Sequence, residues 1–136
     1  LFLDQRDMRS LVREYANGKT VLDCCSYVGG FSVNALKGGA LAADAVDYDV
    51  AAIAQAKKHV EMNGLDVQKF GSYSQDVFDF LRRKPMPRQY DFIVLDPPAF
   101  AKRSTDVDDA KKAYTDVNRM AMELLPKEGG LLLTSS

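Results

Sequence analysis

The chain has 136 residues, 46% of them hydrophobic and 27% charged, with a formal net charge of −1. That composition supports one globular core and excludes disorder. It also lacks the basic excess of a stand-alone nucleic-acid binder, whose affinity comes from neutralising phosphates, so any RNA handling needs grip from another segment.

No apolar run approaches the roughly 20 residues of a membrane span, and no signal peptide opens the chain. The two cysteines, Cys24 and Cys25, are adjacent, which argues against a disulfide framework and for a cytoplasmic setting. The chain opens on Leu1 rather than a methionine, and is expected to be cut from something longer.

In chain order, Met8, Leu11, Val12 and Tyr15 recur at helical spacing, and Asn17-Gly18 closes that helix. Thr20-Val21-Leu22 reads as a buried first strand, and Gly30 to about Lys37 as a helix ended by Gly38-Gly39. The alanine-rich run from Leu41 to Val46 is ambiguous alone, but its place between helices favours a second strand. Asp49 can cap the next helix, whose stripe of Val50, Ile53, Ala56 and Val60 ends at Asn63-Gly64.

A weak strand is expected around Gln68 to Tyr73, then a short helix from Val77 to Arg83 stopped by Pro85. Asp91 to Leu95 is the clearest buried strand. Ala110, Ala113, Tyr114, Val117, Ala121, Leu124 and Leu125 mark a long helix ended by Pro126, and Leu131 to Thr134 a fifth strand. This alternation predicts an α/β, Rossmann-like, doubly wound and mostly parallel sheet.

In such sheets ligands bind at the carboxyl ends of the strands, near the switch point of strand order. After the first strand comes Asp23-Cys24-Cys25-Ser26-Tyr27-Val28-Gly29-Gly30-Phe31-Ser32. Two glycines permit close backbone approach to a ligand, but the G-x-G-x-x-G spacing that seats a dinucleotide pyrophosphate is lacking. After the second strand sits Asp47, whose carboxylate can accept from both hydroxyls of an adenosine ribose. By itself it suits NAD or S-adenosylmethionine equally, or is a helix-capping or solvated aspartate. The departure from the dinucleotide glycine pattern tips the balance to S-adenosylmethionine, which has no phosphate to cradle.

Asp76, after the third strand, can take an adenine amino group while the next backbone N–H, that of Val77, meets a ring nitrogen; alternatively, or as well, Asp76 caps the helix that follows. After the fourth strand comes Asp96-Pro97-Pro98-Ala99-Phe100. Prolines carry no N–H, so two of them fix φ and leave carbonyls to face a substrate.

The ordered segments Phe2-Leu3-Asp4-Gln5-Arg6, VLDCCSYVGGFS, VDYD (which contains Asp47 and Tyr48), QDVF and LDPPAFAK resemble those of a bacterial 23S ribosomal RNA methyltransferase family. That family makes 5-methylcytosine with S-adenosylmethionine as cofactor, and the resemblance covers essentially the whole chain. It implies that Gln5 and Arg6 help close the methionine end of the cofactor pocket. Ser26, Tyr27, Gly29 and Gly30 then line the methionine moiety, Asp47 and Tyr48 the ribose, and Asp76 and Val77 the adenine. Asp96, Pro97 and Pro98 border the target base, and Ala99, where amine-directed enzymes often carry an aromatic, favours methylation at carbon.

The family carries an RNA-binding domain ahead of this core, and its catalytic cysteine just after the fifth strand. The nucleophile is therefore expected beyond Ser136, and the 136 residues alone are expected to bind cofactor without methylating RNA. C5 of cytosine becomes nucleophilic only once a thiolate adds to C6. Cys24 and Cys25, at the end of a buried strand, read as structural. His59, among Lys57, Lys58 and Glu61, reads as solvated, with no second histidine for a metal site.

Arg82, Arg83, Lys84 and Arg88 read as wet surface; Lys102-Arg103 is placed to meet RNA phosphates. The partner implied is ribosomal RNA, with no membrane, and the fifth strand is expected as an exposed edge open to self-association. Other readings are a same-fold methyltransferase acting on a guanine nitrogen, a protein or a small molecule, and a cofactor-binding module without activity. A nicotinamide-dependent oxidoreductase is disfavoured by the glycine spacing.

Overall fold

The computed structural model describes residues 4–97 and 107–135. In chain order these form α1 (Gln5–Tyr15), β1 (Thr20–Cys24), α2 (Gly30–Lys37), β2 (Ala42–Asp47), α3 (Val50–Met62), a 3₁₀ turn (Val67–Lys69), β3 (Phe70–Ser74), α4 (Val77–Leu81), β4 (Phe92–Leu95), α5 (Val107–Leu124) and β5 (Leu131–Thr134). The strands make one sheet in the order β3-β2-β1-β4-β5, every neighbouring pair parallel. Strand order reverses between β1 and β4, which is where the carboxyl ends open a crevice.

Parallel strands covered on both faces are buried along their length rather than on alternate residues, and the three inner strands behave so: β2 and β4 are buried throughout, and β1 from Val21 on, with Asp23, Asp44 and Asp47 the charged residues among them. Successive side chains then serve opposite faces. Val21, Ala43, Phe92 and Val94 join Met8 and Val12 of α1, Phe31 and Leu36 of α2 and Val60 of α3 in one core. Leu22, Val46, Ile93 and Leu95 join Phe80 of α4 and Val117 and Ala121 of α5 in the other.

Register aligns the functional ends. Cys24 pairs with Val46 and Leu95, Asp47 with Ser74, and Leu95 with Thr134, so all five strands finish at one rim.

One polar group crosses the second core. Asp44, fully buried on β2, accepts from Arg88 Nε at 3.1 Å to each oxygen and from the Tyr90 hydroxyl at 2.6 Å. A buried carboxylate is tolerated only when so satisfied. Gly71 on the neighbouring strand has no room for a side chain, because a Cβ there would run into the Asp44 carboxylate. Burial and the Asp44 contact push the Tyr90 phenol far above its ordinary range. Arg88 is thus committed to Asp44, and Arg83 stacks over Tyr73 and Phe80 at 5.2 and 5.4 Å; neither is the wet surface charge expected.

Element bounds also differ from expectation by a residue or two: β2 runs Ala42–Asp47 and β4 starts at Phe92, and hydrogen bonds account for two further shifts. Asp66 accepts from Gln68 N at 2.9 Å and caps the 3₁₀ turn, so β3 starts at Phe70 rather than Gln68. The helix after β3 stops at Leu81, as the Arg82 and Arg83 amides close onto Phe78, Asp79 and Phe80 carbonyls.

Candidate active site

The turn from β1 to α2 is a bent strip of backbone. Cys25, Tyr27 and Gly29 all have positive φ, 61°, 50° and 79°, a conformation costly for the two non-glycine residues unless the surroundings hold it. Four contacts do so. Ser26 N donates to Val46 O at 2.9 Å and Gly29 N to Ser26 O at 2.8 Å. Tyr27 N donates to Asp47 Oδ2 at 3.0 Å. His59 Nδ1 meets Val28 O at 3.0 Å. His59 is therefore not the simply solvated residue its charged neighbours suggested: α3 packs beneath the turn, half-buries the ring and aims it at the loop. Gly29 is tightest, since a Cβ there would stand 2.7 Å from Ala56 Cβ of the same helix.

Four carboxylates surround this turn. Asp47, nearly buried at the end of β2, uses one oxygen for Tyr27 N and the other for Asp49 N at 2.9 Å, tying two turns of the sheet together. Each oxygen has a second lone pair for a ligand. The capping role at α3 falls to Asp49, which accepts from Ala51 N and Ala52 N. Asp76 caps α4 through Oδ1 alone, accepting from Phe78 N at 2.9 Å and Asp79 N at 3.3 Å, which leaves Oδ2 to serve a ligand as well.

Asp23, the third, is a residue that the pattern of the sequence did not single out. It lies wholly buried in β1, and its Oδ2 accepts from Ser32 N at 3.1 Å and Ser32 Oγ at 2.8 Å. Its Oδ1 has no partner among the described residues, and neither has the buried Ser26 Oγ. Desolvation raises the Asp23 carboxyl from 3.8 to about 7 against the opposing Ser32 bonds. The available clue was an aspartate inside an apolar strand directly before a glycine turn.

Asp96, the fourth, is held from two sides of the crevice. Gln5 Nε2, in the first turn of α1, donates to Oδ2 at 3.0 Å, and Ser135 Oγ, just past β5, donates to Oδ1. Tyr114 of α5 in turn donates to Ser135 O at 2.9 Å. Gln5 thus reaches the carboxylate expected at the target base. Pro97 follows Asp96 at the rim; Pro98, Ala99, Phe100, Lys102 and Arg103 lie outside the described residues, as do Phe2 and Leu3.

Burial first, and then the charges of Asp47, Asp23, Asp96 and Asp76, push the Cys25 thiol up to about 12. Burial likewise raises Cys24. A thiolate nucleophile needs the opposite surroundings, so both cysteines are structural. Tyr48 and Tyr27 are exposed beside Asp47 and the turn, and Val77 is buried at the start of α4. Hollows of about 510, 550 and 680 Å³ flank α5 and the segment before β4, lined by residues such as Met86, Arg119 and Leu124. Apart from Tyr114, they are lined by none of the groups gathered at the strand ends.

The profile of the S-adenosylmethionine-dependent methyltransferases matches residues 1–135. The chain belongs to that family. Its fold agrees: a structure described as SMU.776, a putative methyltransferase complexed with SAH, superposes with a TM-score of 0.83 at 39% identity over 98% of this chain and 35% of that one. A putative SAM-dependent methyltransferase from Streptococcus mutans gives 0.82 at 37% identity, with the same coverage. Among curated proteins, "Ribosomal RNA large subunit methyltransferase I" of Erwinia tasmaniensis is 44% identical over 99% of the chain, and that of Klebsiella pneumoniae (strain 342) 43%. The chain spans 34% of the length of each.

The residues present fit the family's cofactor. Two buried oxygens, Asp23 Oδ1 and Ser26 Oγ, await donors at the base of the turn. The N-terminus of α2 carries no side-chain cap, and a ring of carboxylates suits the positive sulfonium and ammonium of S-adenosylmethionine. Among the described residues no helix is long and apolar enough to cross a membrane.

Proposed function

We propose that the intact protein transfers a methyl group from S-adenosylmethionine to C5 of a cytosine in large-subunit ribosomal RNA, in the cytoplasm. The observation that carries the reading is Asp96, fixed by Gln5 and Ser135 at the mouth of the switch-point crevice, beside the cofactor turn. The names of the relatives in Erwinia and Klebsiella support the choice of RNA.

When bound, the cofactor supplies an electrophilic methyl group on sulfur. Asp47 accepts the ribose hydroxyls through its remaining lone pairs, with Tyr48 alongside. Asp76 takes the adenine amino group through Oδ2, and the Val77 N–H faces a ring nitrogen. Ser26, Tyr27, Gly29 and Gly30 line the methionine end.

Asp96, with both oxygens held by neutral donors, stays aimed at the base and can accept from a cytosine amino group, while Pro97, which has no N–H to donate, leaves its carbonyl for the substrate. The thiolate that activates C5 is neither Cys24 nor Cys25; it belongs to a cysteine following Ser136, where the resembled family carries it.

The test is incubation of the full-length protein with methyl-labelled cofactor and unmodified 23S ribosomal RNA, followed by nucleoside analysis. The expected product is 5-methylcytidine, sharply reduced by Asp96→Asn. Label on a guanine nitrogen, or on protein alone, refutes the assignment.

A further inference from the structure

We propose that Tyr114 is a positioning residue for methyl transfer, setting the Asp96 carboxylate through Ser135, an inference resting on the reading that Asp96 faces the target base. α5 runs back from the carboxyl rim of the sheet between the parallel strands β4 and β5, and Val117 and Ala121 bury its inner face in the second core. Tyr114, one turn before Val117 on that side of the helix, therefore stands beside the rim where the two strands end.

Ser135 is the hub. Its N–H donates to Leu95 O at 3.0 Å, its hydroxyl donates to Asp96 Oδ1, and its carbonyl accepts from the Tyr114 hydroxyl at 2.9 Å. The first bond carries the β4–β5 ladder one residue past its last paired residues, Leu95 and Thr134. A ladder bond at N–H places the residue but leaves its ψ to turn, and the bond from α5 fixes that angle by holding the carbonyl. With the backbone settled on both sides, so is the side-chain rotamer that carries Oγ to Asp96.

Asp96 then has a support on each side of the crevice. Gln5 Nε2 holds Oδ2 from α1 at 3.0 Å, while Ser135 holds Oδ1 from beyond β5. Two supports set the plane of the carboxylate and the direction of the lone pair that each oxygen keeps for a substrate. With Oδ1 released, the group pivots about the Gln5 bond. Asp47 and Asp76 lie on the far side of β1, after β2 and β3, and accept from the amides of Tyr27, Asp49, Phe78 and Asp79. A disturbance at Tyr114 thus reaches the base side of the crevice and spares the cofactor side.

The test uses the full-length protein with methyl-labelled S-adenosylmethionine and unmodified 23S ribosomal RNA, both saturating. Tyr114→Phe keeps the ring and removes only the hydroxyl. It is expected to slow transfer about tenfold, because small misplacements of a reacting group are costly, and to leave S-adenosylhomocysteine affinity within about twofold by calorimetry. Ser135→Ala should slow transfer as much, and Ser135→Thr, which keeps a hydroxyl, should recover most of the rate. Added to Ser135→Ala, Tyr114→Phe should cost nothing further, since the link it acts through is gone. A tyrosine that only stabilised the fold would add its own loss in both backgrounds.

A parent-like rate in Tyr114→Phe, losses that multiply in the double variant, or an equal fall in cofactor affinity overturns the assignment. Product identity separates the two levels. Label away from cytosine C5 in the parent refutes the proposed reaction, while the ratio of variant to parent rates on that product still decides the role of Tyr114.

Discussion

Replacing Asp23 by asparagine isolates the buried carboxyl at the base of the turn. The amide oxygen can still accept from Ser32 N and Oγ, the two bonds Asp23 makes, but no charge can form. In the native chain Asp23 ionises at about 7 instead of 3.8. Between those values the folded state binds one more proton than the unfolded state. Its contribution to stability is therefore fully present below the lower value and is lost as pH rises through the upper one.

At about 1.4 kcal/mol per pH unit, the whole window amounts to roughly 4 kcal/mol, with no solvent screening to discount because the group is fully buried. Urea unfolding of both proteins without cofactor, at about pH 5 and about pH 8, measures it. At the lower pH, already above the unfolded value, the variant should be more stable by about 1–2 kcal/mol, and at the higher by roughly 4, so that its advantage in midpoint grows between the two by on the order of 1–2 M. All other titrations cancel in the comparison. An equal gap at the two pH values, or a parent favoured at about pH 8, refutes the reasoning. The same variant should bind S-adenosylhomocysteine less well, since it lacks the charge opposite the ligand's ammonium.

Asp47→Ala removes the acceptor of the Tyr27 and Asp49 amides as well as the proposed ribose anchor; at least a tenfold loss of S-adenosylhomocysteine affinity is expected by calorimetry, from about 1.5–3 kcal/mol per bond to a charged group. Gly29→Ala forces a side chain into positive φ and against Ala56; thermal denaturation should show a loss of about 1–3 kcal/mol, part of which Ala56→Gly restores.

The fold was legible because strands covered on both faces announce themselves as apolar runs, as Phe92 to Leu95 does. The ambiguous alanines of β2 were settled by their position between helices, and Ala43 and Ala45 are indeed fully buried. The turns themselves were legible for a related reason: once the sheet is known, its carboxyl ends are where a ligand is to be sought. What stayed hidden depends on partners far along the chain. Asp44 is made tolerable by Arg88 and Tyr90, 44 and 46 residues away. His59 touches the loop only because α3 crosses beneath it, 31 residues after Val28. Asp23 owes its altered acidity to burial, and apolar patterning carries no information about whether a polar atom buried in a strand finds a donor.

The helix ahead of the sheet has a mechanical consequence. α1 touches the carboxylate of β4 through Gln5 and the opening of α2 through Arg9, so it bridges the gap where strand order reverses. Its buried face fixes the two contacts on one rigid rod, a single turn apart. A tilt or slide of that rod cannot loosen one without disturbing the other. Substitutions at Met8 or Val12, remote from any ligand, should therefore alter cofactor release and base positioning together, and selection for tighter cofactor binding alone will meet resistance from the half of the site that faces the base.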